Sequence, residues 1–557
     1  MRDRRQRPPR LDHLASLVVD SLPDWLTPLL DAETMRAVDR WAIDVRGVPS
    51  LDLMERAGAG VTRIVERLAP DGPAVVVCGK GNNGGDGLVV ARLLREAGRS
   101  VTTVCAASPD DFAGEARVNL ERLPGEAPLE LTEDGERAEQ AFGEAVVIVD
   151  ALLGTGFQGE PRGAVGEAIE AVNAAHALVV SVDVPSGVDA STGVASGAAV
   201  RAAVTVSFHA GKPGLWIAPG KTHAGEVETI DIGIPRGAPN DTNIGLIGPA
   251  VFGLLPRRGA ASTKFLSGHV IVAGGSRGLT GAPRMAAQAA MRAGAGYVTV
   301  CVPASLQETL ASGGPPELMS RGLPEVDGGH VPEGVGEVRA ATERGGALAL
   351  GPGLGRSPGA MWFARELAHR AEVALVLDAD GLNAHAGRLG ELTARSAATV
   401  LTPHAGELGR LLEVGSEEIE RERLRHVRAA AEQAQAVVVL KGDDTLIADP
   451  SGRVAVSPGG TPALATAGTG DVLTGVIAAL LAAGLDPFSA AAAGVSLHAE
   501  AGREAARRQG SAEGVVATDV IAALPAARGG IGGGRRDGGR DYGHGPNGGR
   551  DAEGTGG

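Results

Sequence analysis

Toward its carboxyl end the chain reads Ala465-Thr-Ala-Gly-Thr-Gly-Asp471-Val-Leu-Thr-Gly475 and runs straight into an apolar segment, residues 476–483. The glycines favour a loop that a ligand can approach closely, and the apolar segment predicts a buried helix behind it. The first turn of such a helix leaves N–H groups without partners, which together with the helix dipole form a seat for phosphate. Asp471 lies at that seat, where its carboxylate could take a proton from a bound hydroxyl. It could equally be an ordinary helix N-cap, the commoner use of a lone aspartate here.

Strand and helix patterns alternate along the rest of the chain, which is typical of parallel sheets covered by helices. Helical spacing covers residues 84–98, 165–175 and 282–294. Short continuous apolar runs predict strands buried on both faces. These runs are residues 74–78, 101–105, 145–149, 177–182, 269–273, 347–350, 374–377 and 436–440.

The alternation is interrupted at residues 234–243, where prolines and glycines predict a linker. We therefore expect an α/β protein of two domains, residues 31–240 and 241–528, the first a Rossmann-like βαβ three-layer sandwich. Residues 1–30 contain no unbroken apolar stretch, and residues 529–557 are rich in Gly, Arg and Asp. Both ends are expected to be disordered extensions because they offer little to bury.

Composition restricts the partners of the chain. Its net charge is −15 over 557 residues, with no sustained basic stripe, which argues against a nucleic-acid partner. No segment reaches the ~18 consecutive apolar residues of a membrane helix. Three scattered cysteines without metal or redox spacing fit a reducing compartment, so we expect a cytoplasmic protein with no membrane or nucleic-acid partner.

In the first half, three predicted strands end in polar, glycine-rich loops. These loops are Gly79-Lys-Gly-Asn-Asn-Gly-Gly-Asp-Gly87, Asp150-Ala-Leu-Leu-Gly-Thr-Gly-Phe-Gln-Gly159 and Asp183-Val-Pro-Ser-Gly-Val-Asp189. Ligands bind at such strand ends in open α/β sheets. Asn83, Asp150 and Ser186 offer oxygen ligands for a hard cation, and Asp183 is a candidate general base. Any one of these residues could be structural, but packing does not explain three such loops at one sheet edge.

In the second half, more loops follow predicted strands. They are Gly274–Gly281, Gly351-Pro-Gly-Leu-Gly355, Asp378-Ala-Asp-Gly-Leu-Asn383, Thr402-Pro-His-Ala-Gly-Glu407 and Lys441-Gly-Asp-Asp-Thr445. His404 could be an ordinary loop histidine, and Lys441 an ordinary surface lysine. Loops that converge with the Gly-Thr-Gly-Asp471 segment on one sheet edge favour a site for a nucleotide and a second substrate.

These motifs carry a family resemblance. The Asn-Asn-Gly-Gly-Asp, Asp-Ala-Leu-Leu-Gly-Thr-Gly and Asp-Val-Pro-Ser-Gly-Val-Asp segments resemble the N-terminal domain of NAD(P)HX epimerases. The Gly-Pro-Gly-Leu-Gly, Thr-Pro-His-Ala-Gly-Glu, Lys-Gly-x-x-Thr and Ala-Gly-Thr-Gly-Asp segments resemble ADP-dependent NAD(P)HX dehydratases of ribokinase-like fold. Their order resembles the bifunctional bacterial repair enzymes over residues 31–526.

The resemblance implies roles for particular residues of the first domain. Asp183 would be catalytic, and potassium would be held by Asn83, Asp150 and Ser186. The hydrated dinucleotide would bind to Asn82, Asn83, Gly84, Gly85, Asp86, Gly154, Thr155, Gly156, Phe157, Gln158, Gly159, Glu160 and Asp183.

In the second domain the resemblance implies that Asp471 is catalytic and that Ala282, Gly353 and His404 also contact the hydrate. The adenine nucleotide, ADP, would bind with magnesium to Lys441, Gly442, Asp443, Asp444, Thr445 and Gly470. The chain departs from the family pattern where Asp443 and Asp444 replace a usually small residue, which would place acids near the phosphates. Ala405 replaces the usual proline after His404, and residues 460–464 lack the usual Asn and Met. The resemblance also implies a homo-oligomer.

The implied chemistry is the repair of NAD(P)H hydrated on its nicotinamide ring, called NAD(P)HX. The first domain would interconvert the R and S epimers, and the second would dehydrate the S form at the expense of ADP. One alternative is a small-molecule kinase of the hydroxymethylpyrimidine or hydroxyethylthiazole type, which leaves the first domain as a nucleotide-binding scaffold. Another is a non-enzymatic binding module, against which the intact Asp150 and Asp183 argue.

Overall fold

The computed structural model describes residues 22–530. They form two α/β domains, one on a sheet of seven strands and the other on a sheet of eleven. The predicted two-domain α/β architecture is confirmed. The predictions for residues 1–21 and 531–557 lie outside the described residues.

All strands of the first sheet are parallel, so their carboxyl ends lie along one edge. From one side to the other the strands are Leu129–Glu130, Val101–Cys105, Ala74–Cys78, Val147–Ala151, Leu178–Val182, Val204–Phe208 and Glu226–Ile230. The accompanying helices are Ala32–Arg40, Trp41–Val45 (a π-helix), Ser50–Leu68, Asn82–Glu96, Gly114–Glu121, Gly135–Glu144, Ala164–Ala174 and Gly220–Ala224. Apolar clusters lie on both faces of the sheet, which gives the predicted three layers.

The second sheet has a parallel part and a margin in which most neighbouring strands are antiparallel but Val454–Val456 and Ile244–Ile247 are parallel. The parallel strands, in spatial order, are Val437–Leu440, Thr399–Leu401, Ala374–Leu377, Ala347–Leu350, His269–Ala273, Tyr297–Pro303 and Met319–Leu323. The margin consists of Leu446–Ala448, Val454–Val456, Ile244–Ile247 and Leu26–Pro28. A separate two-stranded ribbon pairs Glu325–Val326 with Gly329–His330.

Helices cover both faces of this second domain. They are Gly281–Ala293, Gln307–Ser312, Val335–Thr342, Pro358–Arg370, Asp380–Asn383, Ala405–Leu412, Ser416–Arg421, Arg423–Ala434, Thr469–Ala482, Pro487–Gln509 and Ala517–Gly530. From Val476 onward the helix Thr469–Ala482 is apolar, as the sequence predicts, and it packs between the sheet and the helices Gly281–Ala293 and Pro487–Gln509.

The N-terminal extension was predicted wrongly for residues 22–30. The strand Leu26–Pro28 pairs antiparallel with Ile244–Ile247 at the margin of the second sheet. Trp25 and Leu29 are buried in the second domain, and Trp25 lies with its ring centroid 5.7 Å from that of Phe488. Three residues are too few to show a strand period, and the neighbouring Pro23 and Asp24 resemble loop sequence. Leu22 to Leu30 therefore belongs to the fold.

This pairing makes the first domain an insertion in the second. Residues 29–243 connect two strands that are neighbours in the second sheet. The predicted linker lies in the segment that leads from Glu226–Ile230 into Ile244–Ile247.

No helix within residues 22–530 is both long enough and apolar enough to cross a membrane.

We expect a chain that begins at Asp31 to be less stable than a chain that begins at Leu22. The shorter chain lacks the strand Leu26–Pro28 and four buried apolar side chains, each contributing about 1.5–3 kcal/mol when fully buried. Its melting temperature should be lower by roughly 10 °C or more. Thermal unfolding followed by circular dichroism compares the two chains, and equal melting temperatures would show that the strand adds nothing to the second sheet.

Candidate active sites

A cavity of about 860 Å³ opens at the carboxyl edge of the first sheet. The parallel strands Ala74–Cys78, Val147–Ala151 and Leu178–Val182 are neighbours, so the loops that follow them meet there. Seven of the predicted residues line this cavity: Asn82, Asn83, Asp86, Gly154, Thr155, Gly156 and Asp183. Their roles in binding stay predictions.

The other predicted substrate residues of this domain do not line the cavity. A side chain at Gly84 would place Cβ 1.6 Å from the Gly79 carbonyl oxygen, and one at Gly85 would meet Met54 at 2.7 Å. These two glycines therefore allow close packing. Phe157, Gln158, Gly159 and Glu160 continue the loop beyond Gly156, and the last three are exposed.

The Asn-Asn-Gly-Gly-Asp segment is helical, although the sequence suggested a loop. The helix Asn82–Glu96 begins with it, and Gly81 is its N-cap. The first-turn N–H groups have no partner within the helix, so they can serve a ligand as the predicted loop would have done.

Asp183 forms a buried ion pair with Lys212. Its Oδ1 accepts hydrogen bonds from Lys212 Nζ at 2.5 Å and from the Phe208 amide at 3.1 Å. Lys212 is fully buried and also donates to Ser207 Oγ and the Phe208 carbonyl oxygen. Asp183 has a left-handed backbone (φ 64°), a strained conformation for a non-glycine residue that is common at functional sites.

Two of the other carboxyl groups that line this cavity have raised pKa values. Burial, together with the charge of Asp183, raises the pKa of Asp39 to about 6, against an opposing effect of Lys212. Burial also raises the pKa of Asp86 well above its ordinary value, with contributions from Asp183 and Asp39. The cavity thus combines one ion-paired carboxylate with two carboxyl groups that retain protons more readily.

Sequence reasoning missed Lys212 and Asp39. Lys212 follows the strand Val204–Phe208. Thr205 and Ser207 alternate with apolar residues in this strand, so a search for continuous apolar runs does not find it. A polar residue after that strand would have been the signal. Asp39 lies in the helix Ala32–Arg40, where nothing in the sequence distinguishes it from the other charged residues of that helix.

The predicted cation ligands lie close together. Asp150 is fully buried inside the strand Val147–Ala151, and its carboxylate accepts hydrogen bonds from Ser181 Oγ, Ser186 Oγ and the Ser186 amide. Burial raises the pKa of this carboxyl, and the hydrogen bonds from Ser186 and Ser181 oppose the shift. Asn83 Nδ2 donates to the Leu153 carbonyl oxygen at 2.9 Å, while the Leu153 amide donates to Ser186 Oγ at 2.9 Å. Leu153 therefore joins the three predicted ligands.

In the second domain, a buried carboxylate that sequence analysis left without a role connects the strand ends. Asp378 Oδ1 accepts hydrogen bonds from Thr402 Oγ1 at 2.9 Å and Lys441 Nζ at 3.1 Å. Its Oδ2 accepts one from Thr474 Oγ1 at 2.8 Å, one turn beyond Asp471. Asp378 thereby fixes Lys441 against the helix that carries Asp471.

Asp471 is not the N-cap of its helix. The helix Thr469–Ala482 has Gly468 at its N-cap, with φ 92°, and Asp471 is the third helical residue. Its carboxylate forms no hydrogen bond within residues 22–530. Burial, with the nearby Asp378 and Glu407, raises the pKa of Asp471 to about 7, although Lys441 opposes the shift. A carboxyl group with this pKa can exchange a proton near neutral pH.

Lys441 remains a cation in this setting. Burial disfavours its charge, but Asp378, Glu407 and Asp471 outweigh that effect and raise its pKa. Its Nζ lies 3.6 Å from the position that a Cβ on Gly470 would occupy, so the predicted nucleotide residues Lys441 and Gly470 are brought together. Lys441 is therefore not the ordinary surface lysine that the sequence left open.

The predicted hydrate contacts occupy two places. A Cβ on Gly353 (φ 62°) would lie 3.2 Å from Cβ of Ala282, so these two residues adjoin. His404 is the N-cap of the helix Ala405–Leu412, with Nδ1 accepting from the Gly406 amide and Glu407 accepting from the His404 amide. The histidine thus has a structural role, and half of its side chain is exposed.

The acids of the predicted nucleotide loop, residues 441–445, have partners. Asp444 Oδ2 accepts hydrogen bonds from buried Arg423 Nε and from the Ala218 amide of the first domain, both at 2.9 Å. Asp443 pairs with Lys221, also of the first domain. Thr445 Oγ1 donates to the Gly442 carbonyl oxygen, closing the turn. The two acids are therefore paired with cations and do not face the phosphate seat as bare charges.

Comparison with known proteins covers both domains. Residues 50–214 match the family described as YjeF-related protein N-terminus, and residues 270–526 match the family described as NAD(P)H-hydrate dehydratase. The crystal structure of ADP/ATP-dependent NAD(P)H-hydrate dehydratase from Bacillus subtilis, co-crystallized with ATP/Mg2+, is 30% identical. The match covers 50% of this chain and 96% of the Bacillus subtilis chain, with a TM-score of 0.43.

Similar proteins of known name share both domains with this chain. A bifunctional NAD(P)H-hydrate repair enzyme from Moorella thermoacetica is 43% identical over 509 residues, covering 89% of this chain and 96% of its own length. Its counterpart from Salinibacter ruber is 42% identical and covers 89% of this chain and 95% of its own length. The counterpart from Escherichia coli is 34% identical and covers 88% of this chain and 92% of its own length. The chain therefore belongs to the family of bifunctional NAD(P)H-hydrate repair enzymes.

Proposed function

We propose that the chain restores NADH and NADPH from their hydrates by two activities at two sites. The first domain interconverts the R and S hydrates, and the second dehydrates the S hydrate at the expense of ADP. The observation that carries the proposal is Asp471, a free carboxylate with a pKa of about 7 beside Lys441 and a helix N-terminus. The family of the chain supports both activities.

The dehydration would proceed by phosphoryl transfer because hydroxide is a poor leaving group at neutral pH. Asp471 accepts the proton of the substrate hydroxyl, and that oxygen takes the terminal phosphoryl group of ADP. Lys441 and the N–H groups of the helix Thr469–Ala482 stabilise charge on the moving phosphoryl group. AMP is released by this transfer, and phosphate then leaves as the carbon–oxygen bond breaks and the neighbouring ring carbon loses a proton, which forms the double bond.

Magnesium would accompany the nucleotide. No group of three His, Cys, Asp or Glu residues within residues 22–530 could hold a metal ion by itself. Proteins commonly bind magnesium through one or two carboxylates and the phosphates of the substrate.

Epimerisation would use the carboxyl groups of the first cavity. Asp183, which is ion-paired with Lys212, would act as the base, and Asp86, whose pKa is raised well above its ordinary value, would give a proton to the departing hydroxyl. Opposed acid and base groups fit a reaction that removes and returns a hydroxyl at one carbon.

Potassium would lie between Asn83, Asp150 and Ser186. The buried Asp150 carboxylate has only neutral donors around it within the described chain, and a monovalent cation would balance its charge. The Leu153 carbonyl oxygen adds a donor of the type that hard cations prefer. When bound, the ion would fix the strand ends around the cavity.

The kinase alternative predicts a different product. Recovery of NADH absorbance from the hydrate, with ADP supplied, tests the repair activity, whereas a kinase would phosphorylate hydroxymethylpyrimidine and leave the hydrate unchanged. Relatives that contain both domains favour repair. We place the activity in the cytoplasm, which suits three free, buried cysteines. Size-exclusion chromatography would test the homo-oligomer that the resemblance implies.

The Asp183→Asn variant should lose epimerisation by about 10²-fold or more, the usual contribution of a placed base. Dehydration of the S hydrate in the same chain is the internal control and should be unchanged. Breaking the buried pair also leaves Lys212 without its counter-charge, so the melting temperature should fall. Asp183→Asn combined with Lys212→Met should regain stability but not epimerisation. Recovery of both in the double variant would mean that Asp183 is structural.

The Asp471→Asn variant should lose ADP-dependent dehydration by about 10²-fold or more, because the proton acceptor is gone. The wild-type rate should rise with pH up to about 7, where the carboxylate forms, and then level off. At pH 8 the variant should melt no lower than the wild type, since the fold disfavours the ionised Asp471. Asp486→Asn is the matched control: Asp486 caps the next helix, and asparagine caps about equally well. Near-normal dehydration in Asp471→Asn would contradict the mechanism.

Replacement of potassium by N-methylglucamine should lower epimerisation while dehydration persists. Potassium should also raise the melting temperature of the wild type, as any ligand of the folded state does. In Asp150→Asn, which removes the charge that the ion balances, this thermal shift should disappear. A shift of the same size in wild type and variant would place potassium elsewhere.

A further inference from the structure

We propose that the first domain positions the nucleotide loop of the second, with Lys221 as the positioning residue. The proposal rests on the proposed function, in which residues 441–445 bind the adenine nucleotide. It adds that dehydration depends on a contact supplied by the epimerase domain.

The contact comes from the segment 216–221 of the first domain. Ile217 is fully buried in the apolar cluster of the second domain that also includes Leu29 and Ile244. This packing fixes the segment against the second domain. The helix Gly220–Ala224 then places Lys221 beside the nucleotide loop.

Lys221 joins two loops of the second domain. Its Nζ lies 2.5 Å from Asp443 Oδ2 and 3.3 Å from the Pro458 carbonyl oxygen. Asp443 Oδ1 in turn accepts a hydrogen bond from the Gly460 amide at 3.0 Å. One ammonium group therefore connects the nucleotide loop to residues 458–460.

Asp444 provides a second, buried anchor. Its carboxylate is 4% exposed and is shared between Arg423, which is 2% exposed, and the Ala218 amide. Arg423 also donates to the Lys441 carbonyl oxygen at 3.3 Å, so the same cation supports the start of the loop. Asp443 and Asp444 are the residues that replace a small residue of the family, and both have a partner in the first domain.

The chemistry of the loop makes its position matter. Lys441 at its start is already fixed by Asp378, and its ammonium group adjoins Gly470 at the phosphate seat. Movement of residues 442–445 would displace the nucleotide from that seat without altering Asp471. Weakening the Lys221 contact should therefore change nucleotide affinity and leave the chemical step alone.

The Lys221→Met variant of the full chain tests this. Because exposed ion pairs are individually weak, the KM for ADP should rise by only about two- to fivefold. The kcat of dehydration and the rate of epimerisation should stay at wild-type values. Lys221→Arg keeps the cation and should restore the KM. Lys264→Met, which removes an exposed lysine charge elsewhere, is the matched control and should change nothing.

The double variant Lys221→Met, Asp443→Asn separates position from charge. Both charges are absent there, so a KM for ADP that stays raised supports positioning. A KM that returns fully to the wild-type value would show that Lys221 only neutralises Asp443, and would overturn the proposal. An unchanged KM in Lys221→Met would overturn it as well. Failure of the proposed function is distinct, since the wild-type chain itself would then show no ADP-dependent dehydration.

Discussion

The second site depends on one buried carboxylate. Asp378 accepts hydrogen bonds from Thr402, Thr474 and Lys441, which belong to three separate elements. Such a charge is costly to bury unless every partner is in place, so the arrangement holds the strand ends and the helix Thr469–Ala482 in one geometry. Its negative field also raises the pKa of Asp471, after burial, into the range where that group can exchange a proton. Structure and reactivity thus arise from the same interaction.

The first site also contains a buried lysine paired with an aspartate, but the pair involves the proposed base itself. There Lys212 pairs directly with Asp183, whereas Asp39 and Asp86 lack a cation at hydrogen-bond distance within the described residues. One cavity therefore contains carboxyl groups of the same type with unlike proton affinities. In the second site, Lys441 is bonded to Asp378, which leaves Asp471 as the group with the raised pKa.

Sequence reasoning found what depends on local pattern. Strands such as Ala74–Cys78 and His269–Ala273 are continuous apolar runs, and their bounds agree with the predictions. It missed Val204–Phe208, where hydroxyl side chains alternate with apolar ones, and Leu26–Pro28, whose pairing is set by a strand more than two hundred residues away. The long-range partners Lys212 and Asp378 were missed as functional for the same reason, because only the fold brings them to Asp183 and Lys441.

The insertion of the first domain limits where it can lie relative to the second domain. Both ends of the inserted segment leave from neighbouring strands, Leu26–Pro28 and Ile244–Ile247, so they are close in space and anchored at one sheet margin. That margin continues through Val454–Val456 and Leu446–Ala448 to the strand that ends at Lys441. The inserted domain is therefore held near the nucleotide loop by its own chain connections, before any side chain is considered. Because these connections already limit how far the inserted domain can move, the contacts of Ala218 and Lys221 need only fix its orientation toward the nucleotide loop.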